Sequence, residues 1–217
     1  MKKIISFSLW GDNPDYTIGA IRNMELAEEV YPGWETRFFV HQNVPKSIVD
    51  KLMSKTTLNS VILMPPEPAN SDCMFWRLSP LADPLVEVFI SRDCDSRLND
   101  KEHQAVLEWL NSDKQFHCMR DHAYHSYPPV LGGMCGFKTR GPVDPHWIFH
   151  HVSRFKQGKY GNDQNGLLDL YNGLHGLFME HDDSLRFKGM RFPLHKSFKY
   201  GSFIGERITH DDKPGRL

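Results

Sequence analysis

Short apolar runs separated by helical patterns fill the first hundred residues, and that alternation restricts the chain to few architectures. Residues 3–9 (KIISFSL) read as a buried strand, and the turn WGDNPDY leads into residues 17–31, where Ile18, Ile21, Leu26 and Val30 recur at helical spacing. Pro32 and Gly33 end that helix. ETRFFVHQ predicts a second strand, SIVDKLMSK a short helix, SVILMPP a third strand and FISRDCD a later one. The order implies an α/β single domain with a mostly parallel central sheet flanked by helices. DKEHQAVLEWLNS predicts a further helix, N-capped by Asn99 or Asp100, and FHCMRD another short strand. Beyond these the pattern breaks up: SYPPVLGGMCGFKTRGPVDP is interrupted throughout by Pro and Gly, the segment from residue 173 to 202 is aromatic and loop-rich, and the polar ending THDDKPGRL is expected to fray.

A chain of 217 residues can bury a full core without staples. With 26 basic and 27 acidic side chains it has no global field that favours nucleic acid or an anionic membrane, so any phosphate contact must be local. Cys73, Cys94, Cys118 and Cys135 stand singly with no CxxC pair, which fits a reduced, cytoplasmic setting. Charge and Gly arrive too early in MKKIISFSLWGDN for a signal segment, and no run approaches the ~18 apolar residues of a transmembrane span.

The stretch FISRDCDSR carries the most chemistry. In open α/β sheets ligands bind outside the carboxyl ends of the strands, and here Asp93 and Asp95 flank Cys94 at such an end. In a strand, residues i and i+2 point the same way about 6.5–7 Å apart. Two carboxylates held close destabilise each other unless a cation sits between them, and Mg²⁺ or Mn²⁺ takes oxygen ligands and completes its shell with water and phosphate. Without a cation the same residues make a polar turn. Sixteen residues upstream, DCMFWRL places Arg77 after Phe75 and Trp76, suited to phosphate or sugar-hydroxyl contacts or else to a core edge. In GNDQNGLLDLY, Asp163 and Gln164 head an apolar helix, as site residues or with Asp163 as a plain N-cap. His117, His122 and His125 lie five and three residues apart with no cysteine pair, which argues against zinc. Arg120, Asp121 and His122 fit the lining of a cleft better.

In this order, SLWG at a strand end, aromatic-Arg, DxD, the GG loop LGGMCG and NDQxxLL, the chain resembles the GT-A (Rossmann-like) glycosyltransferases, over about residues 3 to 206. It is similar to their retaining, glycogenin-like branch, and SRDCDSR and MRDHAYH…LGGMCG are similar to stretches in glycosyltransferases of bacteria and large algal (chlorella) viruses. The resemblance implies a nucleotide-binding half over about 1–100 and an acceptor and donor-sugar half over about 101–217. It assigns Asp93 and Asp95 to Mn²⁺ (or Mg²⁺) on the donor diphosphate. Arg77, Cys94, Ser6, Leu9 and Trp10 are placed around the nucleotide, and Gly132 and Gly133 border the sugar. Asp163 and Gln164 fall at the reacting face, as the catalytic pair. The branch supplies a third metal ligand from a histidine ahead of KPW. Here KPG (213–215) lacks the Trp and His210 stands too close before it, so His181 in MEHDDS is preferred. A UDP-sugar donor, UDP-glucose first, and a glycan or glycoprotein acceptor follow from the resemblance, with no nucleic-acid partner and a cytoplasmic location, the host's if the chain is viral. If transfer inverts, Asp163 is the first candidate base. Three rival readings stay open. A metal-dependent phosphohydrolase would use His181 and Asp182. A sugar nucleotidyltransferase would want a Gly-rich basic loop where SLWGDNPDY stands, and a non-catalytic sugar-nucleotide-binding module would need no ordered carboxylates.

Overall fold

The computed structural model describes residues 1–54, 58–66, 68–184 and 186–215. Strand β1 (Lys2–Leu9) is followed by helix α1 (Pro14–Val30), which Asn13 caps by accepting from the Asp15 amide, and Pro14 presets its first turn. Strand β2 (Glu35–Val40), helix α2 (Lys46–Ser54) and strand β3 (Asn59–Leu63) continue the alternation. A 3₁₀ segment (Ser71–Ala82), capped by Asn70, then carries the chain under the sheet to β4 (Val86–Arg92). The expected cap of helix α3 (Asp100–Leu110) is Asn99, whose side chain accepts from the Glu102 amide. Strand β5 (Phe116–Arg120) follows as expected.

The second half is more ordered than its Pro and Gly suggest. LGGMCG runs into β6 (Met134–Lys138), and helices α4 (Pro145–Ser153) and α5 (Asn162–Leu174) and strand β7 (Phe178–Asp182) complete the fold. In α4 three histidines mask the spacing, but Ile148 and Val152, four apart, are fully buried. The tail docks as far as residue 215: Ile208 donates to the Asp95 carbonyl at 2.7 Å and bridges to Pro214. The last two residues of THDDKPGRL lie outside the described residues.

The seven strands form one sheet in the order β3-β2-β1-β4-β6-β5-β7, parallel except for β6, which runs antiparallel to both β4 and β5. Because neighbours on β1 and β4 face opposite ways, Ile5, Phe7, Val88 and Ile90 pack under α1 and α3, while Ile4 and Phe89 pack with Phe75, Leu78, Ile148 and Leu167 on the other face. Burial on both faces explains why these strands read as near-continuous apolar runs.

One polar chain crosses this core. His117 lies flat against Trp109, its Nε2 is 2.9 Å from His181 Nδ1, and His181 Nε2 is 2.9 Å from Glu108 Oε2. Burial holds both imidazoles below their usual basicity, for His117 reinforced by the positive partners around it, and burial lowers His125 to about 4. Below about pH 6.5 the unfolded chain takes up protons on these rings and the native chain does not. Thermal melts should therefore show stability held above that pH and falling steadily between about pH 6.5 and 5; a flat profile would mean the histidines are solvated.

Candidate active site

β4 ends at Arg92, so Asp93 and Asp95 stand on the turn after it, and their convergence is a property of that turn, not of the two-residue strand repeat. The flanking arginines point away and serve as struts. Arg92 is 2 % exposed and bonds Glu102 and the carbonyls of Ser91 and Cys135, while Arg97 spans Asp212 and the carbonyls of Cys94 and Thr209. With those charges turned inward, the two aspartates line one cleft. Asp95 is pushed up to about 6, first by burial and then by the charge of Asp93. Tyr16, from the first turn of α1, hydrogen-bonds Asp95, and burial together with that carboxylate raises its phenol. Arg207 Nε stands 4.0 Å from Asp95 Oδ2 and bonds Asp15, which also receives the amide and ring of His210.

Arg77 ties the pair to the second half of the chain. Its backbone amide donates to the Ser8 hydroxyl at 2.9 Å, which pins the 3₁₀ segment to the end of β1. Its Nη1 pairs with Asp93 Oδ1 and its Nη2 with Asp163 Oδ2 at 2.5 Å. Burial opposes the charge of this guanidinium, but Asp93 and then Asp163 more than offset it. Asp163 is 1 % exposed, with Oδ1 buried and without a hydrogen-bond partner. It does not cap α5: that position belongs to Gly161 at φ +82°, in the left-handed region a glycine adopts without cost, so the carboxylate is left to Arg77.

Gly132 and Gly133 close the cluster because nothing larger fits. A Cβ on Gly132 would overlap Arg77 Nη2 and Asp163 Oδ2, and one on Gly133 would overlap Asp93 Oδ2. Gly133→Ala should displace Asp93 and weaken by about tenfold or more the binding of any divalent cation that the two carboxylates hold, the scale of a mispositioned ligand, with the melting temperature little changed because Asp93 is half-exposed. Calorimetry beside a thermal melt separates the two effects.

The cleft in front of the carboxylates holds about 120 Å³ between Ser8, Trp10, Arg77, Asp93, Asp95 and Gln164. Trp10, Tyr16, Met74 and Tyr160 also line an outer part of about 340 Å³ that reaches Gly11 and Asn13. A larger hollow of about 610 Å³ lies at the opposite end of the sheet beside Lys2, Trp34 and Asn59, away from the paired carboxylates.

Of the residues expected at the site, Trp10, Arg77, Asp93, Asp95, Gly132, Gly133, Asp163 and Gln164 come together. The Ser6 side chain is buried in the sheet, whereas Leu9 and Cys94 are among the residues lining the cleft, and the Cys94 thiol, which burial holds protonated, donates to the Ser8 carbonyl. His181 is not brought to the Asp pair. It sits on β7, three strands or ~14 Å across the sheet from β4, with both ring nitrogens engaged by His117 and Glu108. Arg120 and Asp121 are likewise struts, bonded to Asp182 and Glu180 and to Lys101. His117 is separated from His122 and His125, which pack on Phe203. Asp15, Tyr16, Tyr160 and Arg207 were not anticipated at the rim; no local pattern marks them, since the turn before α1 and the docking of the tail place them, and the same docking brings to Asp15 the His210 that its spacing before KPG had set aside. Among the described residues no group of three His, Cys, Asp or Glu side chains could hold a metal by itself.

No protein-family model and no curated protein matches the chain. Solved structures do. A glycosyltransferase involved in the glycosylation of the major capsid of PBCV-1 superposes with a TM-score of 0.54 at 14 % identity, over 84 % of this chain and 82 % of that one. Glucosyl-3-phosphoglycerate synthase from Mycobacterium tuberculosis, in complex with Mn²⁺, UDP and glucosyl-3-phosphoglycerate, superposes at 0.54 with 12 % identity, over 82 % of this chain and 68 % of that one. A 4-diphosphocytidyl-2C-methyl-D-erythritol synthase from Anaerococcus prevotii superposes at 0.51 with 10 % identity, over 86 % and 92 %. At these identities the likeness establishes the fold, which is GT-A as the motif order implied, and the same fold serves proteins of more than one activity.

Proposed function

We propose that this GT-A chain is a glycosyltransferase that moves a hexose from a UDP-sugar, UDP-glucose first, to a hydroxyl of a glycan or glycoprotein, with a divalent metal and with retention. One observation carries the reading: two carboxylates share one cleft after the end of a central strand, one pushed up to about 6, with Gln164 in the same lining. Arg77 takes Asp93 Oδ1 and Arg207 stands 4.0 Å from Asp95, yet Asp95 is still held up by the charge of Asp93, so the pair has room for a further cation. Gly133 leaves space beside Asp93 Oδ2, and this oxygen together with Asp95 fits a hard ion that keeps positions free for phosphate. Asp93 and Asp95 would hold Mn²⁺ or Mg²⁺, which when bound supplies Lewis-acid neutralisation of charge on a leaving diphosphate. The Mycobacterium tuberculosis synthase, solved with Mn²⁺ and UDP, supports this choice.

The protein's own groups then take separate tasks. Arg77 is committed to Asp93 and Asp163, so it positions the carboxylates and does not reach for the donor. Trp10 and Tyr160, beside Leu9, offer ring faces for the base and the sugar, while Ser6 is buried. Asp163, negative with one oxygen unpaired, and Gln164 at the cleft wall would support an oxocarbenium-like ring from the face opposite the leaving group. In a retaining transfer a departing phosphate oxygen can accept the acceptor's proton, so no further base is needed.

The phosphohydrolase reading loses its metal centre, because Asp182 is spent on Arg120 and Ser184 and His181 on its neighbours. A nucleotidyltransferase would want cations on the loop after β1, and no Lys or Arg occurs from Ser6 to Ile21. The test is calorimetric titration with UDP and UDP-glucose, in Mn²⁺ and in EDTA. Binding that needs the metal is the expected result, with slow donor hydrolysis separating enzyme from binding module; no binding in any condition overturns the proposal.

A further inference from the structure

The segment between β7 and the docked tail has a charge unlike the rest of the chain. From Ser184 to Gly205 it carries Arg186, Lys188, Arg191, Lys196 and Lys199 and no Asp or Glu, in a protein of net charge −1. It is irregular yet anchored, and its aromatic rings do the anchoring. Phe187 lies 4.2 Å from the Arg120 guanidinium, Phe192 packs against His181 and under Lys101, and Phe198 joins the small cluster around Ile204. What faces solvent is basic and aliphatic: Leu194 is 98 % exposed and Met190 46 %. Arg191 and Lys199 share their charge with Asp183 and Glu29, and Lys196 neighbours Asp100, whereas Arg186 and Lys188 have no acidic partner among the described residues.

We infer that this segment is a docking surface for a bilayer with anionic headgroups. Clustered Lys and Arg are drawn to the negative surface potential of such a membrane, and exposed aliphatic side chains between them enter the headgroup boundary. A single-stranded nucleic acid would instead call for exposed ring faces on which bases stack, and here the phenylalanines are turned inward. The Lys196 amide donates to Asp100 Oδ2 at the first turn of α3, Lys199 reaches Glu29 in the last turn of α1, and the chain then continues through Phe203 and Ile204 to Arg207 beside Asp95. The patch therefore lies along the helices that cover the sheet, and its continuation at Arg207 reaches the cleft. On the reading of the cleft given above, docking would bring the cleft to glycans carried at a membrane surface; the docking itself does not depend on that reading.

Sedimentation of the full chain with vesicles of phosphatidylcholine alone, and of phosphatidylcholine with phosphatidylglycerol, tests it. The native protein should sediment with the anionic vesicles only, and less as salt is raised. Reversing Arg186, Lys188 and Lys196 to Glu should weaken that binding by about a hundredfold, and Leu194→Asp by several-fold, with circular dichroism and the UDP titration unchanged in both variants. Equal sedimentation with neutral and anionic vesicles, undiminished binding by the triple variant, or a preference for duplex DNA over the anionic vesicles would overturn the inference. Failure of the UDP titration would leave it standing.

Discussion

Replacing Asp95 by Asn is expected to weaken metal-dependent UDP binding by at least about a hundredfold, the several kcal/mol attributed to a metal clamp, while making the free protein more stable at neutral pH. The two effects have one cause. Burial and the neighbouring Asp93 push the Asp95 carboxyl up to about 6, above the 3.8 of an unstrained aspartate. A carboxyl raised on folding costs nothing below about pH 4, where it is protonated in both states, and its full cost is present above about pH 6. Asn keeps the size and removes the charge, so the gain, on the order of 1–3 kcal/mol, should appear at pH 7 and vanish at pH 4. Denaturant unfolding at the two pH values, beside calorimetry with Mn²⁺, reads both. A variant that binds UDP·Mn²⁺ like the native chain would remove Asp95 from the site; one that loses binding and is also less stable would mean that the carboxylate is structural.

Arg77→Met should lower stability by about 3–5 kcal/mol, the loss found when one partner of a buried ion pair is removed, or on the order of 10 °C in melting temperature for a chain of this size. Nearly all of that penalty belongs to Asp163. Asp93 keeps 48 % of its side chain in solvent and can be hydrated when its partner goes, whereas Asp163, at 1 %, would be left as an unpaired charge with both oxygens orphaned. The double variant Arg77→Met, Asp163→Asn should therefore melt near the native temperature and still fail to bind UDP·Mn²⁺ normally, since nothing would hold Asp93 in place. If the single variant melts like the native protein, Arg77 is not the strut described here.

The path from sequence to site was legible where the signal was local. Asn99 as a cap, the apolar repeat of α1 and the buried runs of β1 and β4 are set by residues within a few positions of one another, and each stands where its pattern places it, although α1 begins at Pro14, three residues before the repeat, because Asn13 caps it. LGGMCG misled because glycine in a strand reads as loop; Gly136 is there because a Cβ would come within 2.9 Å of Trp109. His181 misled for a different reason. An HD step is a local string, but which strand it joins is decided by pairing with β5, and that carried it away from the carboxylates and into a buried contact with His117.

By itself, then, the sequence determined most elements of the first 120 residues, the alternation that makes a mostly parallel sheet, and the two carboxylates at the end of β4, because these depend on spacings of two to four residues. Tertiary structure alone decided that Arg77 would bridge Asp93 to Asp163, 86 residues beyond Arg77, that two glycines would leave the room for it, and that Arg207 would come to Asp95 from the far end of the chain. The physical reason is that a buried charge is tolerated only where the fold delivers its partner. Which of 26 cations and 27 anions meet is settled by strand order and helix packing, and no local pattern records it.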